Sequence, residues 1–193
     1  MDRVLFSQIH HLETIKLEKS GNHYRSLVRE IVGQQLSTKV ASVIFNRLLH
    51  LFPNEEVKPD IMIEIKDEEL RSIGMSWGKV RYVKDLSQKV IDKSLDLSKL
   101  EKMENQEVIN ALIQVKGIGP WTAEMFLMFS LGRSDVFSFG DLGLKNAIRN
   151  LYGIEEVTNE VLRDLSKKWS PYRTYAARIL WETLDNKTDI KTI

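Results

Sequence analysis

The chain has 193 residues and carries 28 Lys and Arg against 27 Asp and Glu, which leaves a net charge of +1. The lack of cysteine excludes structural disulfides, thiolate zinc sites and iron–sulfur clusters. A net charge this small is not that of a strongly basic nucleic-acid binder, so any DNA-binding surface must concentrate its positive charge on one face. A long apolar run is also absent, and the first residues do not resemble a signal peptide, so we expect neither a membrane span nor secretion.

Apolar residues recur at helical spacing along almost the whole chain, whereas sustained alternation is missing, so the sequence predicts an all-α fold. After a loose apolar stripe at 2–17 (Leu5, Ile9, Leu12), helices are expected at about 24–32, 37–49, 60–65, 67–73, 78–92, 105–115, 120–131, 141–152, from 158 onward, and at 171–184. Short polar side chains at helix starts predict N-caps at Ser37, Asp67, Asn105, Asp141 and Thr158. Glycines predict helix ends at Gly132 and Gly153.

A turn at 116–119, with the sequence KGIG, separates two of these helices within the segment 112–146. Two glycines at this spacing let the backbone turn sharply and approach another surface closely, and Pro120 suits the first turn of the next helix. The N–H groups of such a turn favour an anion, for which a DNA phosphate is an obvious candidate. The same glycines also fit an ordinary corner between two helices, so the turn alone leaves both interpretations open.

Three further segments accompany this turn: IVGQQLS at 31–37, the segment 74–86, and WSPYR at 169–173. Together they resemble the helix-hairpin-helix DNA glycosylases, and within them the 3-methyladenine (alkylpurine) DNA glycosylase II branch. The resemblance extends over most of the chain and implies one glycosylase domain at 1–193, with two helical lobes and an active-site cleft between them. It places the hairpin at about 107–131 and the catalytic loop at 135–145, in a minimal version of the branch without a preceding β domain.

Asp141 is the first candidate catalytic residue. An aspartate at a helix start is most often an N-cap that accepts backbone N–H bonds, and position alone favours that role. The segments DVF at 135–137 and DLG at 141–143 are similar to the family loop in which the carboxylate serves catalysis. The resemblance implies that Asp141 stabilises the positive charge that builds on the sugar as the glycosidic bond breaks. It also implies that Asp141 orients or deprotonates the attacking water, a role that is compatible with capping.

Trp121 stands where lyase-competent members of the superfamily carry a lysine nucleophile. A tryptophan offers no amine for a Schiff base with the sugar, so the resemblance implies a monofunctional glycosylase without lyase activity. Lys116 lies inside the turn, and we interpret it as a phosphate contact or a solvated side chain. The four histidines all lie outside the matched catalytic motif.

Trp121 and Trp181 match aromatic positions that line the base pocket in the alkylpurine branch. A cationic, alkylated base gains cation–π attraction on such ring faces, although a tryptophan near a helix start is also a common core residue. Met125 stands where a relative's pocket has tyrosine, and it would form an adaptable wall without a fixed ring face. Gly140 replaces a residue that is frequently acidic in relatives, so two departures bear on the range of substrates.

DNA contacts are implied at two turns. A flipped base leaves a gap in the duplex, and the family places the wedge that fills it in the 33–37 turn, which points to Gln35 or Leu36. A plain connector between helices is the alternative for that turn. Phosphate contacts are implied at the N–H groups of Gly117 and Gly119, assisted by Thr122.

Two smaller points follow from the resemblance. No cofactor is expected, apart from a monovalent cation that family members often hold on hairpin carbonyls, which in this chain are those around Val115 and Ile118. The segment 169–173 is interpreted as scaffold. Within it, Arg173 either pairs inside the protein or approaches DNA, and pairing is favoured.

The sequence therefore predicts an enzyme that hydrolyses the N-glycosidic bond of alkylated purines, of the 3-methyladenine and 7-methylguanine type, in duplex DNA to start base excision repair. One alternative is another lesion, such as uracil, mismatched thymine or hypoxanthine, but such a neutral base demands hydrogen-bond donors that Trp121, Trp181 and Met125 supply sparsely. Another is a DNA-binding module without catalysis, against which Asp141 argues. We expect a cytoplasmic, nucleoid-associated monomer that acts on duplex DNA containing alkylated bases.

Overall fold

The structure is a computed structural model that describes residues 2–9 and 14–189, with side chains described as far as residue 184. Every regular element in these ranges is helical, which confirms the predicted all-α fold. No helix in this part of the chain is long and apolar enough to cross a membrane. The chain divides into two compact units: the first combines the N-terminal segment up to Glu18 with the chain from Gly132 onward, and the second is Lys19–Leu131. The single-domain boundary and the cleft implied by the resemblance stay predictions.

The α-helices are numbered in chain order. They are α1 Arg3–Gln8, α2 His23–Gly33, α3 Thr38–Leu49, α4 Pro59–Glu64, α5 Asp67–Ser72, α6 Trp77–Ile91, α7 Asn105–Leu112, α8 Pro120–Phe129, α9 Leu142–Tyr152, α10 Asn159–Trp169 and α11 Arg173–Asp189. Short 3-10 segments occupy Pro53–Glu55 and Leu97–Lys102.

The core of the second unit is built around α2, which packs against α3, α6 and α8. Its buried face carries apolar residues three and four apart, including Leu27, Val28 and Ile31, so one stripe of the helix faces the core. Phe126 of α8 and Leu86 of α6 are also fully buried. Because α2 is held on several sides, the turn that follows it starts from a fixed position.

The first unit is built around α11, which packs against α9, α1 and α10. Leu144 and Ile148 of α9 and Leu180 of α11 are fully buried. Asp2 fastens the N-terminus to this unit, because its carboxylate caps α1 and also accepts hydrogen bonds from Tyr152 Oη at 2.7 Å and Trp169 Nε1 at 2.9 Å. The start of α9 and the middle of α11 are therefore parts of one packed body.

Three of the predicted N-caps are confirmed, and two are wrong. The side chains of Ser37, Asp141 and Thr158 each accept a backbone N–H bond at the start of a helix. Asp67 is instead the first residue of α5, where its carboxylate lies 3.6 Å from Lys84 Nζ. Asn105 is the first residue of α7, because a carboxylate pair forms the cap one residue earlier. There Glu104 and Glu107 make a reciprocal capping box, which satisfies two otherwise unpaired N–H groups.

Several predicted helix boundaries also differ from the observed ones. The last helix begins at Arg173 rather than Pro171, because the N–H groups of Arg173 and Thr174 are accepted by the Asp135 carboxylate and the Ser134 carbonyl.

Other ends differ by smaller amounts. The helix α8 ends at Phe129, two residues before the expected Leu131, and Gly132 then takes a left-handed φ of 62°. Gly153 ends α9 as predicted, with a left-handed φ of 64°. The N-terminal helix is shorter than its apolar stripe: Ile9 is largely exposed, and Leu12 lies outside the described residues.

Candidate active site

Asp141 caps α9 and is almost fully buried, with 9% of its surface exposed. Its Oδ1 accepts a 2.7 Å hydrogen bond from the N–H of Leu144, on its own helix. The same oxygen accepts a 3.1 Å hydrogen bond from Trp181 Nε1, on α11. Donors from two elements therefore fix the orientation of the carboxylate, at a helix N-terminus that favours negative charge.

Gly143 makes room for this pair of side chains. A Cβ atom at Gly143 would lie 3.0 Å from Asp141 Oδ1 and 3.2 Å from Trp181 Nε1. Contacts this short force one neighbour to move, so the glycine lets the indole reach the carboxylate. The structure thus brings together two of the predicted site residues, Asp141 and Trp181, and shows why the DLG sequence suits their contact.

The loop that leads to Asp141 is anchored on the start of α11. The Asp135 carboxylate receives hydrogen bonds from Arg173 Nε at 2.6 Å and Arg173 Nη2 at 2.9 Å, and from Ser170 Oγ at 2.9 Å. The Arg173 guanidinium is the main reason that the pKa of Asp135 lies below its usual value. Thr174 accepts the N–H of Val136 at 3.1 Å. Arg173 therefore has the structural role that was favoured, and the segment around it is scaffold.

The hairpin turn is pressed against α6. Gly117 has a φ of 81°, and a Cβ atom there would lie 2.1 Å from the Tyr82 ring, so both backbone conformation and space require glycine. The N–H of Lys116 donates to Asp85 Oδ2 at 2.9 Å, and the Lys116 ammonium lies 3.6 Å from the same carboxylate while remaining exposed. Gly119, in contrast, has open space beside it. The phosphate contacts predicted for the two glycines stay predictions.

The turn after α2 is tied to this hairpin by Gln34, which sequence reasoning missed. Its side-chain Nε2 donates to the Gly117 backbone carbonyl at 2.8 Å. The backbone carbonyl of Gln34 accepts a hydrogen bond from Lys79 Nζ at 2.7 Å. The next two residues, Gln35 and Leu36, are exposed, and Gln35 takes a φ of 57°. A non-glycine residue in that region is uncommon, and its backbone is strained. The geometry leaves both residues available as the wedge, and the choice between them stays open.

A cavity of about 360 Å³ lies beside this turn in the second unit. Its size falls within the range of ligand pockets. Its walls are formed by Arg29, Glu30, Gly33, Gln34, Gln35, Leu36, Thr38, Ala41, Ser42 and Trp121. Trp121 is 44% exposed, and its predicted stacking on a base stays a prediction. Two other predicted residues, Thr122 and Met125, are buried, and their roles stay predictions.

Glu30 is a second residue that sequence reasoning missed. It lies on α2, lines the cavity and is half-buried. Burial raises the pKa of its carboxyl group, and the charge of Arg29 opposes that effect. The sequence pattern that could have identified it is an acidic residue at the border of the apolar stripe formed by Leu27 and Ile31. Burial of a carboxylate at such a position is unfavourable.

Within the described ranges, no group of three or more His, Asp or Glu side chains is arranged to hold a metal ion. The cation predicted on the hairpin would bind backbone oxygens instead. The Val115 carbonyl accepts the Ile118 N–H at 3.1 Å, and the Gly117 carbonyl is used by Gln34. The cation stays a prediction.

A helical body with a glycine hairpin, followed by a buried aspartate at a helix start, is the arrangement expected of a base excision glycosylase. Residues 28–171 match the HhH-GPD superfamily of base excision DNA repair proteins. Because this match spans most of the chain, the protein belongs to that superfamily. Relatives of the chain carry 3-methyladenine glycosylase names, which confirms the predicted branch.

Three relatives illustrate the similarity. A putative DNA-3-methyladenine glycosylase of Bacillus subtilis is 32% identical over 84% of this chain, which spans 59% of that protein's length. The crystal structure of a DNA-3-methyladenine glycosidase from Bacillus halodurans has a TM-score of 0.83 and 42% identity, covering 94% of this chain and 84% of that one. A Schizosaccharomyces pombe 3-methyladenine DNA glycosylase in complex with abasic DNA has a TM-score of 0.82 and 31% identity, covering 94% and 89%.

Proposed function

We propose that this protein is a monofunctional DNA glycosylase that removes alkylated purines from duplex DNA and so starts base excision repair. The observation that carries the proposal is the buried Asp141 carboxylate, which is held by the Leu144 N–H and by Trp181 Nε1 in a chain of the HhH-GPD superfamily. The names of the relatives, and the abasic DNA in one of their structures, support the same substrate class.

The proposed chemistry follows from the nature of the substrate. A purine methylated at N3 or N7 is already cationic, so its bond to C1′ breaks as electrons move onto the ring. The sugar then takes on positive charge, which an ionised carboxylate stabilises. Asp141 is proposed to supply that charge and to accept a proton from the water that attacks C1′. Its fixed geometry suits this role, because a preorganised group needs no rearrangement as charge develops.

The proposal excludes a lyase step through Trp121, since its indole cannot form a Schiff base. Its exposed ring is instead proposed to stack on the cationic base, which gains cation–π attraction there. Gln35 or Leu36 would fill the gap left in the duplex, and the hairpin N–H groups of Gly117 and Gly119 would contact phosphates. We further propose that the enzyme works as a monomer on nucleoid DNA.

An Asp141→Asn variant tests the proposal on duplex DNA that contains a single 7-methylguanine. Asparagine keeps the cap and the hydrogen bond from Trp181, so folding is retained while the charge is removed. We expect single-turnover base release to fall by about 10²–10³-fold, as for the loss of one strong electrostatic contact in a transition state. Strand breaks, read on a denaturing gel, should appear only after alkali treatment of the abasic product.

Asp96→Asn is the matched control, because Asp96 caps a 3-10 segment on the surface through Ser98 and should leave base release unchanged. Wild-type rates in Asp141→Asn would contradict the role given to Asp141. Strand breaks before alkali would contradict the monofunctional mechanism.

A further inference from the structure

One side chain joins the two turns of the second unit at which DNA contacts are predicted. Gln34 belongs to the 33–37 turn, and its Nε2 donates to the backbone carbonyl of Gly117, 83 residues away, at 2.8 Å. That carbonyl is part of the hairpin turn at 116–119. The same nitrogen lies 3.5 Å from Thr122 Oγ1, in the first turn of α8. The contact therefore joins the turn of the predicted wedge to the turn of the predicted phosphate contacts.

Helix α6 supports both turns. Lys79 Nζ donates to the backbone carbonyls of Val32 and Gln34, at 2.8 and 2.7 Å, near the end of α2, where carbonyls lack partners within the helix. The Tyr82 ring lies against Gly117. Lys79 and Tyr82 are three residues apart, so they are neighbours on the helix surface. One face of α6 thus holds the two turns, and the side chain of Gln34 connects them directly.

The residue that follows Gln34 has a strained backbone. Gln35 takes a φ of 57°, which a non-glycine residue rarely adopts. Such a conformation persists only where the surrounding structure fixes it. Gln34 is fixed twice, through its backbone carbonyl by Lys79 and through its side chain by Gly117. These contacts therefore set the direction in which the turn presents the exposed side chains of Gln35 and Leu36.

We propose that Gln34 is a positioning residue, which sets the place of the wedge in the duplex relative to the phosphates held by the hairpin. The inference rests on the proposed glycosylase function and adds a residue that does not itself touch the nucleotide. Extrusion of a base requires its stacking and its pairing to be broken, so the duplex resists the wedge. A turn that yields leaves the base in the stack, whereas a turn fixed on the hairpin is held in place by the phosphate contacts.

A purely structural contact would give a different pattern of losses. If Gln34 only stabilised the fold, its removal would lower the melting temperature and slow base release from every substrate by the same factor. A positioning residue affects the step in which a paired base leaves the duplex. That step is easier when the opposite nucleotide has no base, because no pair has to be broken.

Gln34→Met tests the proposal, because methionine has a similar length but cannot donate a hydrogen bond. The probes are an undamaged duplex, a duplex with a single 7-methylguanine opposite cytosine, and one with the same lesion opposite an abasic analogue. At saturating enzyme, we expect single-turnover release from the paired lesion to fall about tenfold, since small misplacements have large effects on rate. Release opposite the abasic analogue, and the Kd for the undamaged duplex, should stay within about twofold of wild type, because the hairpin phosphate contacts are retained.

A 2-aminopurine beside the paired lesion gives a second readout, since its fluorescence rises when the neighbouring base leaves the stack. The rise on binding to wild type should be reduced in Gln34→Met. Gln34→Asn keeps the amide but is shorter by a methylene group, so it should show the same selective loss. Gln106→Met is the control, because Gln106 is exposed and its amide binds Asn110 within its own helix at 3.0 Å. It should leave every measurement unchanged.

Equal losses on the two damaged duplexes, or a matching loss of affinity for the undamaged duplex, would overturn the inference and assign Gln34 to stability or to binding. Unchanged release and fluorescence in Gln34→Met would also overturn it. If wild type raised the fluorescence without releasing 7-methylguanine, and Gln34→Met did not raise it, the proposed function would fail while the inference stood. Neither release nor a fluorescence change with wild type would remove both.

Discussion

Two buried or half-buried carboxyl groups, one in each unit, have opposite surroundings. Asp141 of the first unit accepts hydrogen bonds from the Leu144 N–H and from Trp181 Nε1, and it stands at a helix N-terminus. Glu30 of the second unit accepts no hydrogen bond from any described residue, and burial raises its pKa. The same functional group therefore has two different environments in one chain. The donors around Asp141 hold its carboxylate in one orientation, whereas the burial of Glu30 disfavours the charged form of its carboxyl group.

The two regions are also held in place by different forces. The carboxylate in the first unit is positioned by hydrogen bonds from side chain and backbone. The turns of the second unit are positioned by close backbone packing, with Gly117 against Tyr82, and by the amide of Gln34, which binds the Gly117 carbonyl. A substitution that causes a steric clash should therefore destabilise the turns of the second unit most. Loss of a single hydrogen-bond donor should have its main effect on the carboxylate of the first unit.

The largest effect is expected from Gly117→Ala. An alanine at a φ of 81° with its Cβ 2.1 Å from the Tyr82 ring must strain the backbone and displace the ring. These two effects should together lower the free energy of unfolding by about 2–4 kcal/mol. Urea titration followed by circular dichroism measures the loss.

Gly119→Ala is the matched control for that substitution. Gly119 has a φ of −96°, and nothing lies within 4 Å of its added Cβ, so the change should stay within about 0.5 kcal/mol. Equal losses at the two glycines would mean that packing against Tyr82 does not fix the turn.

A smaller effect is expected from Trp181→Phe. Phenylalanine retains a ring but removes the 3.1 Å hydrogen bond to Asp141, so the carboxylate loses one of its fixing contacts. Hydrogen bonds to charged groups are worth about 1.5–3 kcal/mol, part of which the Leu144 N–H retains. We expect single-turnover release of 7-methylguanine to fall about tenfold, which corresponds to about 1.4 kcal/mol.

Trp169→Phe separates this effect from a general loss of stability. Trp169 also donates its Nε1 to an aspartate in the same unit, Asp2, at 2.9 Å. The control should therefore lower the melting temperature without slowing base release. If Trp169→Phe also released the base tenfold more slowly, the rate of release would depend on overall stability. The hydrogen bond from Trp181 would then have no specific effect on the reaction.

The sequence predicted the helices well because most of their boundaries depend on local chemistry. Ser37 and Asp141 cap helices as expected, since capping requires only a short polar side chain and the following N–H groups. The N-cap predicted at Asn105 was wrong because two glutamates, three residues apart, form a capping box one position earlier. The helix start predicted at Pro171 was wrong because the start of α11 is set by Asp135, which lies 38 residues from Arg173. A local sequence pattern does not contain that contact.

The site was predicted less completely, for a related reason. Asp141 and Trp181 were found through the resemblance, and the structure explains their contact. Gln34 was missed because its partner, the Gly117 carbonyl, is 83 residues away. Glu30 was missed because a single acidic residue beside an apolar stripe looks like a solvated edge, and only the folded cavity shows that its carboxyl is withdrawn from water.

The smallest effect concerns the ion pair between Arg173 and Asp135, which anchors the loop before Asp141. Hydrogen bonds from Arg173, chiefly, lower the pKa of Asp135, so the pair stabilises the folded state above the unfolded pKa of Asp, about 4. This contribution is lost as pH falls through the lower, folded pKa. Since both side chains are partly exposed, with 31% for Arg173 and 28% for Asp135, the pH-dependent part should be about 1 kcal/mol.

Asp135→Asn lacks this ionisation, so its stability should differ from that of wild type at pH 7 and approach it as the pH is lowered towards 2. Urea titrations across that pH range measure the difference. Asp164→Asn, at an exposed pair with Lys167 on α10, should keep the pH dependence of wild type. If the difference between Asp135→Asn and wild type stayed constant with pH, the Asp135 charge would have no part in anchoring the loop. Neutral hydrogen bonding would then be sufficient to anchor it.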